Sequence, residues 1–276
     1  LTLDHVEVSS SQGAGIWTTG GATRLTDVQV SNVSSIAGSV LGSGGWGMVF
    51  NGGELFIDNI TIDGAIHTGI VGAVAVASIK NVTIRYVEPA SDGQWGRGIY
   101  LEGIDVDSAA SLENLTIEEV YDAGVFIHNL ANAVIRDLTI TNVHQHTDVY
   151  SDEYSAAASG AEGLVILQSD ADGDGVTLPE EVTIELLGAN SLTGIGRVGI
   201  IVDAAFLKMN SLAALEAEDT REGISVFSQN YGVIEVYEDD SGLSSETPSA
   251  AIGTCITDGG ENLDVDTDGF DFSAGF

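Results

Sequence analysis

The sequence predicts an all-β solenoid, and three observations predict it. Short apolar–polar–apolar triplets recur along the chain, and side chains that alternate with a period of two mark strands. The triplets come in two kinds that follow one another in turn. The distance between kinds is fixed on one side and elastic on the other, as in stacked repeats whose insertions project sideways.

The first kind, strand b, follows an Asp or Asn. Its copies are Val6-Glu7-Val8, Val28-Gln29-Val30, Ile60-Thr61-Ile62, Val82-Thr83-Ile84, Leu115-Thr116-Ile117, Leu138-Thr139-Ile140 and Val182-Thr183-Ile184. Weaker copies are expected at Leu212-Ala213-Ala214, Ile234-Glu235-Val236 and Leu263-Asp264-Val265. The second kind, strand c, opens on glycine: Gly15-Ile16, Gly47-Met48, Gly69-Ile70, Gly98-Ile99, Gly124-Val125, Gly163-Leu164, Gly199-Ile200 and Gly223-Ile224, with Ala251-Ile252 as a degraded copy. A third apolar position recurs three residues before strand b, at Leu3, Leu25, Ile57, Ile79, Leu112 and Ile135.

Twelve residues separate Ile16 from Val28, Met48 from Ile60 and Ile70 from Val82. From strand b to strand c the interval swells, reaching twenty-four between Ile140 and Leu164. Asp27, Asn59, Asn81, Asn114 and Asp137 precede strand b, with His5 and Asn262 in the equivalent place. Stacked Asn side chains at such a corner hydrogen-bond from repeat to repeat. Nine or ten coils at ~4.8 Å make a rod on the order of 45 Å long.

Composition narrows the partners. The 276 residues carry 42 Asp+Glu against 8 Lys+Arg, a formal charge of −34. That charge argues against nucleic acid or anionic membrane as a partner, because phosphate binding requires clustered Lys and Arg. The single cysteine, Cys255, permits no internal disulfide, and no apolar run of about 18 residues marks a membrane span. The chain starts inside a repeat at Leu1 and is expected to be a mature or excised piece of a longer protein, with repeats over 1–237 and an acidic continuation over 238–276.

The repeat from Leu1 to about Tyr237 resembles the right-handed parallel β-helix family, the pectate-lyase-like solenoids. That resemblance implies a right-handed parallel β-helix of nine to ten coils, and raises lyase, hydrolase or epimerase action on polysaccharides as an activity. Fold does not settle activity. Elimination from a uronic acid needs a base beside a cation that acidifies the α-proton. The enzymatic alternative places its groups at Arg97, His144, His146 and Asp148, where insertions rim a possible groove. His144-x-His146 also has the spacing of two imidazoles on one face of an extended strand, but without a distant third ligand a polar exposed loop is the preferred reading.

Asp170-Ala-Asp172-Gly-Asp174-Gly175-Val176, closing at Glu181, resembles an EF-hand-type calcium loop. Ca²⁺ takes six to eight oxygens, which alternating Asp residues supply around one centre. The ligands expected are Asp170, Asp172, Asp174, Val176 through its carbonyl, and Glu181. No helices flank the loop and Pro179 sits where a second would begin. A weaker run at Asp264, Asp266 and Asp268 lacks the twelfth-position acid and scans also as a last strand b.

One row breaks the pattern. The outward residues of strand c should be polar, yet they are Trp17, Val49, Val71, Tyr100, Phe126, Val165 and Ile201, before Ser225. The outward row of strand b is Glu7, Gln29, Thr61, Thr83, Thr116, Thr139 and Thr183. An apolar ladder is either a docking surface for a protein, a second copy or a glycan, or a face covered by the protein's own insertions. The expectation taken forward is a secreted or surface-displayed bacterial structural or adhesive module, stabilised by calcium. It would engage a protein or polysaccharide through this row and through Trp46, Trp95 and Tyr150.

Overall fold

The computed structural model describes residues 1–36, 44–90, 95–144, 161–168, 182–196, 198–210, 214–217, 224–229, 233–239, 242–243 and 254–257. Among them every regular element is a strand, and the chain passes from one sheet to another in alternation. The first sheet runs β1 (Thr2–Ser9), β3 (Ala22–Val33), β5 (Glu54–Ile66), β7 (Val76–Glu88), β9 (Ala109–Val120), β11 (Asn132–Val143), β13 (Thr183–Leu187), β16 (Phe206–Asn210), β19 (Val233–Asp239) and β20 (Gly242–Leu243). Beside β11 lie β14 (Ser191–Ile195) and then β17 (Ala214–Ala217). The second sheet runs β2 (Ala14–Thr19), β4 (Trp46–Asn51), β6 (Thr68–Val74), β8 (Arg97–Gly103), β10 (Ala123–His128), β12 (Glu162–Leu167), β15 (Ile200–Asp203), β18 (Ile224–Gln229) and β21 (Thr254–Thr257). Pairing is parallel except between β19 and β20. The protein is therefore all-β with two parallel sheets, an arrangement compatible with a solenoid.

The strand b copies stack as their pattern predicts over six repeats, Val6 on Val28, then Ile60, Val82, Leu115 and Leu138. Corners bend the long strands. His5, Asp27, Asn59, Asn81, Asn114 and Asp137 all have φ between 51° and 57°, the left-handed region that Asn and Asp tolerate best. The Asn59 amide donates to Asp27, Asn81 Nδ2 to Asp58 Oδ1 at 2.7 Å, and Asn114 Nδ2 to Asn81 Oδ1 at 2.8 Å. Five residues on, a second line of left-handed corners runs through Ser10, Asn32, Gly64, Tyr86, Glu119 and Asn142. The sequence pattern gave no notice of this second line.

Inward residues of both sheets form one core, from Ile16, Met48, Ile70, Ile99, Val125, Leu164 and Ile200 to Leu25, Ile57, Ile79, Leu112 and Ile135. The glycine that opens strand c is a matter of space. A Cβ at Gly47 would sit 2.4 Å from the carbonyl oxygen of Gly69 and 2.9 Å from Ile62 Cγ2, and the same clash recurs at Gly69 and Gly98. The turn into the second sheet brings two backbones and a core isoleucine too close for any side chain.

Five register expectations fail in the later repeats. Val182-Thr183-Ile184 does not stack on Leu138–Ile140; Ile184 pairs with Ala133, and Leu192 pairs with Ile140. The strand splits there, at Gly188 with φ 81°, and Asn190 Oδ1 caps the Leu138 amide at 2.9 Å. Ile234 likewise pairs with Leu207 in the row of Ile184. In the next coil Leu215, not the expected triplet at 212–214, pairs with Leu192. In the second sheet Val226 rather than Ile224 pairs with Ile200, and Cys255 rather than Ile252 pairs with Val226. The residue in register with Ile201 is thus Phe227, not Ser225. The slips that put Leu192 in the place of Ile184 and Val226 in the place of Ile224 are even-numbered, and an even slip leaves inward and outward residues unchanged.

Candidate functional site

The outward row of the second sheet is buried. Val49, Val71, Tyr100, Phe126, Val165 and Ile201 are at most 3% exposed, and Trp17 alone is half-buried. They belong to a second apolar cluster with Trp46, Trp95, Ala123, Leu167 and Val198. The expectation of a free docking face along this row is corrected: the protein covers it with its own residues. Trp46 and Trp95, expected to reach out to a partner, lie folded onto it. Leaving such a row in water would forgo about 25 cal/mol for each Å² of apolar surface, so the chain closes over it.

Aromatic rings line the layer in contact from one repeat to the next. Trp17 and Trp46 meet edge to face at 5.9 Å, Trp46 and His67 at 5.4 Å, and His67 stacks on Trp95 at 4.9 Å. Trp95 meets Tyr100 at 5.8 Å, and Tyr100 meets Phe126 at 5.5 Å.

Arg97 is the charged centre of this layer. A tight turn, Trp95 at φ 70° and Gly96 at φ 111°, aims it from the start of β8; a Cβ on Gly96 would lie 2.7 Å from Tyr121 Cβ. The side chain is wholly buried and ion-paired with buried Asp122. Its guanidinium carbon sits 4.0 Å from the Trp95 ring centre and 4.2 Å from that of Phe126. A desolvated Arg between aromatic faces gains cation–π attraction, and the carboxylate offsets the cost of burying the charge.

Two histidines flank it. Burial, then the Arg97 charge, lowers the His67 pKa to about 3. Trp46 Nε1 donates to His67 Nδ1 at 3.0 Å, so that nitrogen is an acceptor and the ring is neutral. Burial and Arg97 likewise lower His128 to about 4. Tyr100 Oη lies 3.1 Å from His128 Nδ1 and 3.3 Å from Glu102 Oε2. Burial raises the Glu102 pKa, against the opposing pull of that Tyr100 bond.

Of the residues named for the enzymatic alternative, Arg97 is engaged inside the layer, not at a groove rim. His144 pairs with Glu119 at 2.8 Å on the surface. His146 and Asp148 lie outside the described residues, as do Asp170, Asp172, Asp174, Val176 and Glu181, Asp264, Asp266 and Asp268, and Tyr150. His67, His128, Glu102 and Asp122 were not singled out from sequence. Two of them were within reach of the pattern. Glu102 and His128 pair directly, two residues beyond Tyr100 and Phe126 in the next outward row.

At the β2 end the layer opens into a cavity of about 460 Å³ lined by Gly13, Ala14, Trp17, Thr19, Ile36, Trp46 and Asn51. On the first sheet, Asp4, His5 and Asp27 gather their polar atoms at the first exposed corner, where His5 Nδ1 bonds Asp4 at 2.7 Å. No protein-family model, curated protein or solved structure matches the chain.

Proposed function

We propose that this chain is a right-handed parallel β-helix that serves as a secreted or surface-displayed bacterial structural or adhesive module, held by calcium and binding a protein or glycan partner. The in-register stacking of alternate strands through both sheets carries the proposal. Each repeat contacts only its neighbours, so the stack extends as a stiff, elongated support. The covered aromatic layer adds to it: buried Arg97, Asp122 and the rings brace successive repeats from outside the core. The partner surface then lies at an opening in that layer and not along its length. The Asp170–Glu181 run supports calcium by its chemistry, since a net charge of −34 favours a divalent cation.

Thermal unfolding in calcium and in excess chelator tests the reading. A cation bound only by the folded state stabilises it by RT ln(1 + [L]/Kd), so chelation should lower the melting temperature by several degrees. A melting temperature that chelator leaves in place would sink the calcium assignment.

A second reading, polysaccharide lyase or hydrolase, draws on the Tyr100–His128–Glu102 cluster. A carboxyl raised toward neutrality beside a neutral imidazole is a pattern of acid–base pairs. Turnover of a uronate polymer in calcium, abolished by Glu102→Gln, would favour this reading over the structural one.

A further inference from the structure

We propose that the cavity at the β2 end of the aromatic layer is a binding subsite for a neutral sugar ring. The inference rests on the reading of the chain as a partner-binding module and names the place and chemistry of contact.

Trp17 distinguishes this end. It belongs to the outward row whose other described members, Val49 through Ile201, are sealed, and it alone is half-buried. Trp46 meets it edge to face, their planes 72° apart, so two indoles form adjoining walls of one hollow. Trp46 is held in place by its bond to His67 Nδ1, and that wall is set before any ligand arrives. A preformed wall spares a ligand the ordering cost of binding. The volume of about 460 Å³ falls within the range of small-molecule sites.

The polar groups select the ligand. Thr19 and Asn51 pair across β2 and β4 and contribute a hydroxyl and a carboxamide, each able to donate and to accept. Among the described residues no charged side chain lines the cavity. A purely apolar ligand would leave Thr19 and Asn51 unanswered where they meet it. An anionic one, such as a uronate, would find no cation there and meet the field of a strongly negative chain. A neutral pyranose has an apolar C–H face to lay on an indole and a rim of hydroxyls for Thr19 and Asn51.

The full chain is titrated with cellohexaose, xylohexaose and mannohexaose by calorimetry, with hexagalacturonate as the charged counterpart and a hydrophobic dye as the apolar one. At least one neutral hexasaccharide should bind saturably. Trp17→Ala should weaken it at least tenfold, Asn51→Ala severalfold, and Trp17→Phe should keep much of the affinity. Trp17→Phe also guards against a folding defect in the alanine variant. Equal affinity in wild type, Trp17→Ala and Trp17→Phe would overturn the subsite and leave the glycan-binding reading intact. Binding of hexagalacturonate as tightly as any neutral sugar would overturn the charge argument. If only the dye binds, or nothing does, the sugar assignment fails, whereas the calcium assignment stands or falls on the chelator melt.

Discussion

The two sheets share one backbone plan and differ in what they turn outward. Both have inward rows of Ile, Val and Leu that merge into a single core. Outward, the first sheet presents Thr61, Thr83, Thr116 and Thr139 in register, with ion pairs such as Lys80–Glu113 and Arg85–Asp63 alongside. The second presents Val71, Tyr100 and Phe126 and is covered. The contrast teaches that stacking is decided by the inward alternation, while outward residues decide whether a face meets water or a second packed layer.

One substitution made on both faces tests this most severely. Val71→Asp would bury an unpaired carboxylate at a fully enclosed position and should cost more than about 4 kcal/mol, enough to unfold a marginal protein. Thr83→Asp, at an outward position of the first sheet, should change stability by about 0.5 kcal/mol or less. Chemical denaturation of both variants reads the difference. Similar losses in the two would mean that the second sheet's cover is not a packed layer.

Acid should attack the same asymmetry. His67 and His128 have folded pKa values near 3 and 4, below the ordinary 6.5 they regain on unfolding. Below pH 6.5 the unfolded chain takes up protons that the folded chain refuses, so stability falls as pH drops and the loss levels off beneath the folded values. At pH 5.5 the two together should cost on the order of 3 kcal/mol. His67→Gln with His128→Gln should flatten the denaturation midpoint between pH 7 and 5. A slope that survives the double variant would assign the acid sensitivity to other groups.

How far the sequence reveals this molecule follows from what each signal encodes. The inward rows are legible because a period of two is unambiguous, and the first line of corners because Asn and Asp tolerate the left-handed region. The second line is hidden, since Tyr86 and Glu119 have no preference for positive φ. Register beyond Ile140 is hidden because Ile184, Leu186 and Leu192 all share one parity, and alternation cannot choose among them. The apolar row was visible, but its cover was not. A valine turned outward reads the same whether a partner or the protein's own Trp95 lies over it. Arg97 was visible also, and a lone Arg before a glycine gives no sign of an Asp122 arriving from the next repeat.

The smallest effect belongs to the corner line of the first sheet, where the wet face keeps its order by side-chain bonds. Asn81 sits at φ 53°, donates to Asp58 and accepts from Asn114. Asn81→Ala loses both bonds at an exposed site and forces a Cβ-bearing residue without a polar tip into the left-handed region. About 1 to 2 kcal/mol should go. Asn81→Gly loses the same bonds but accepts the conformation, so it should be milder by several tenths of a kcal/mol. Thermal melts of the pair separate the two contributions. Equal losses would mean that the bonds alone hold the corner; a glycine variant as stable as wild type would mean that conformation alone does.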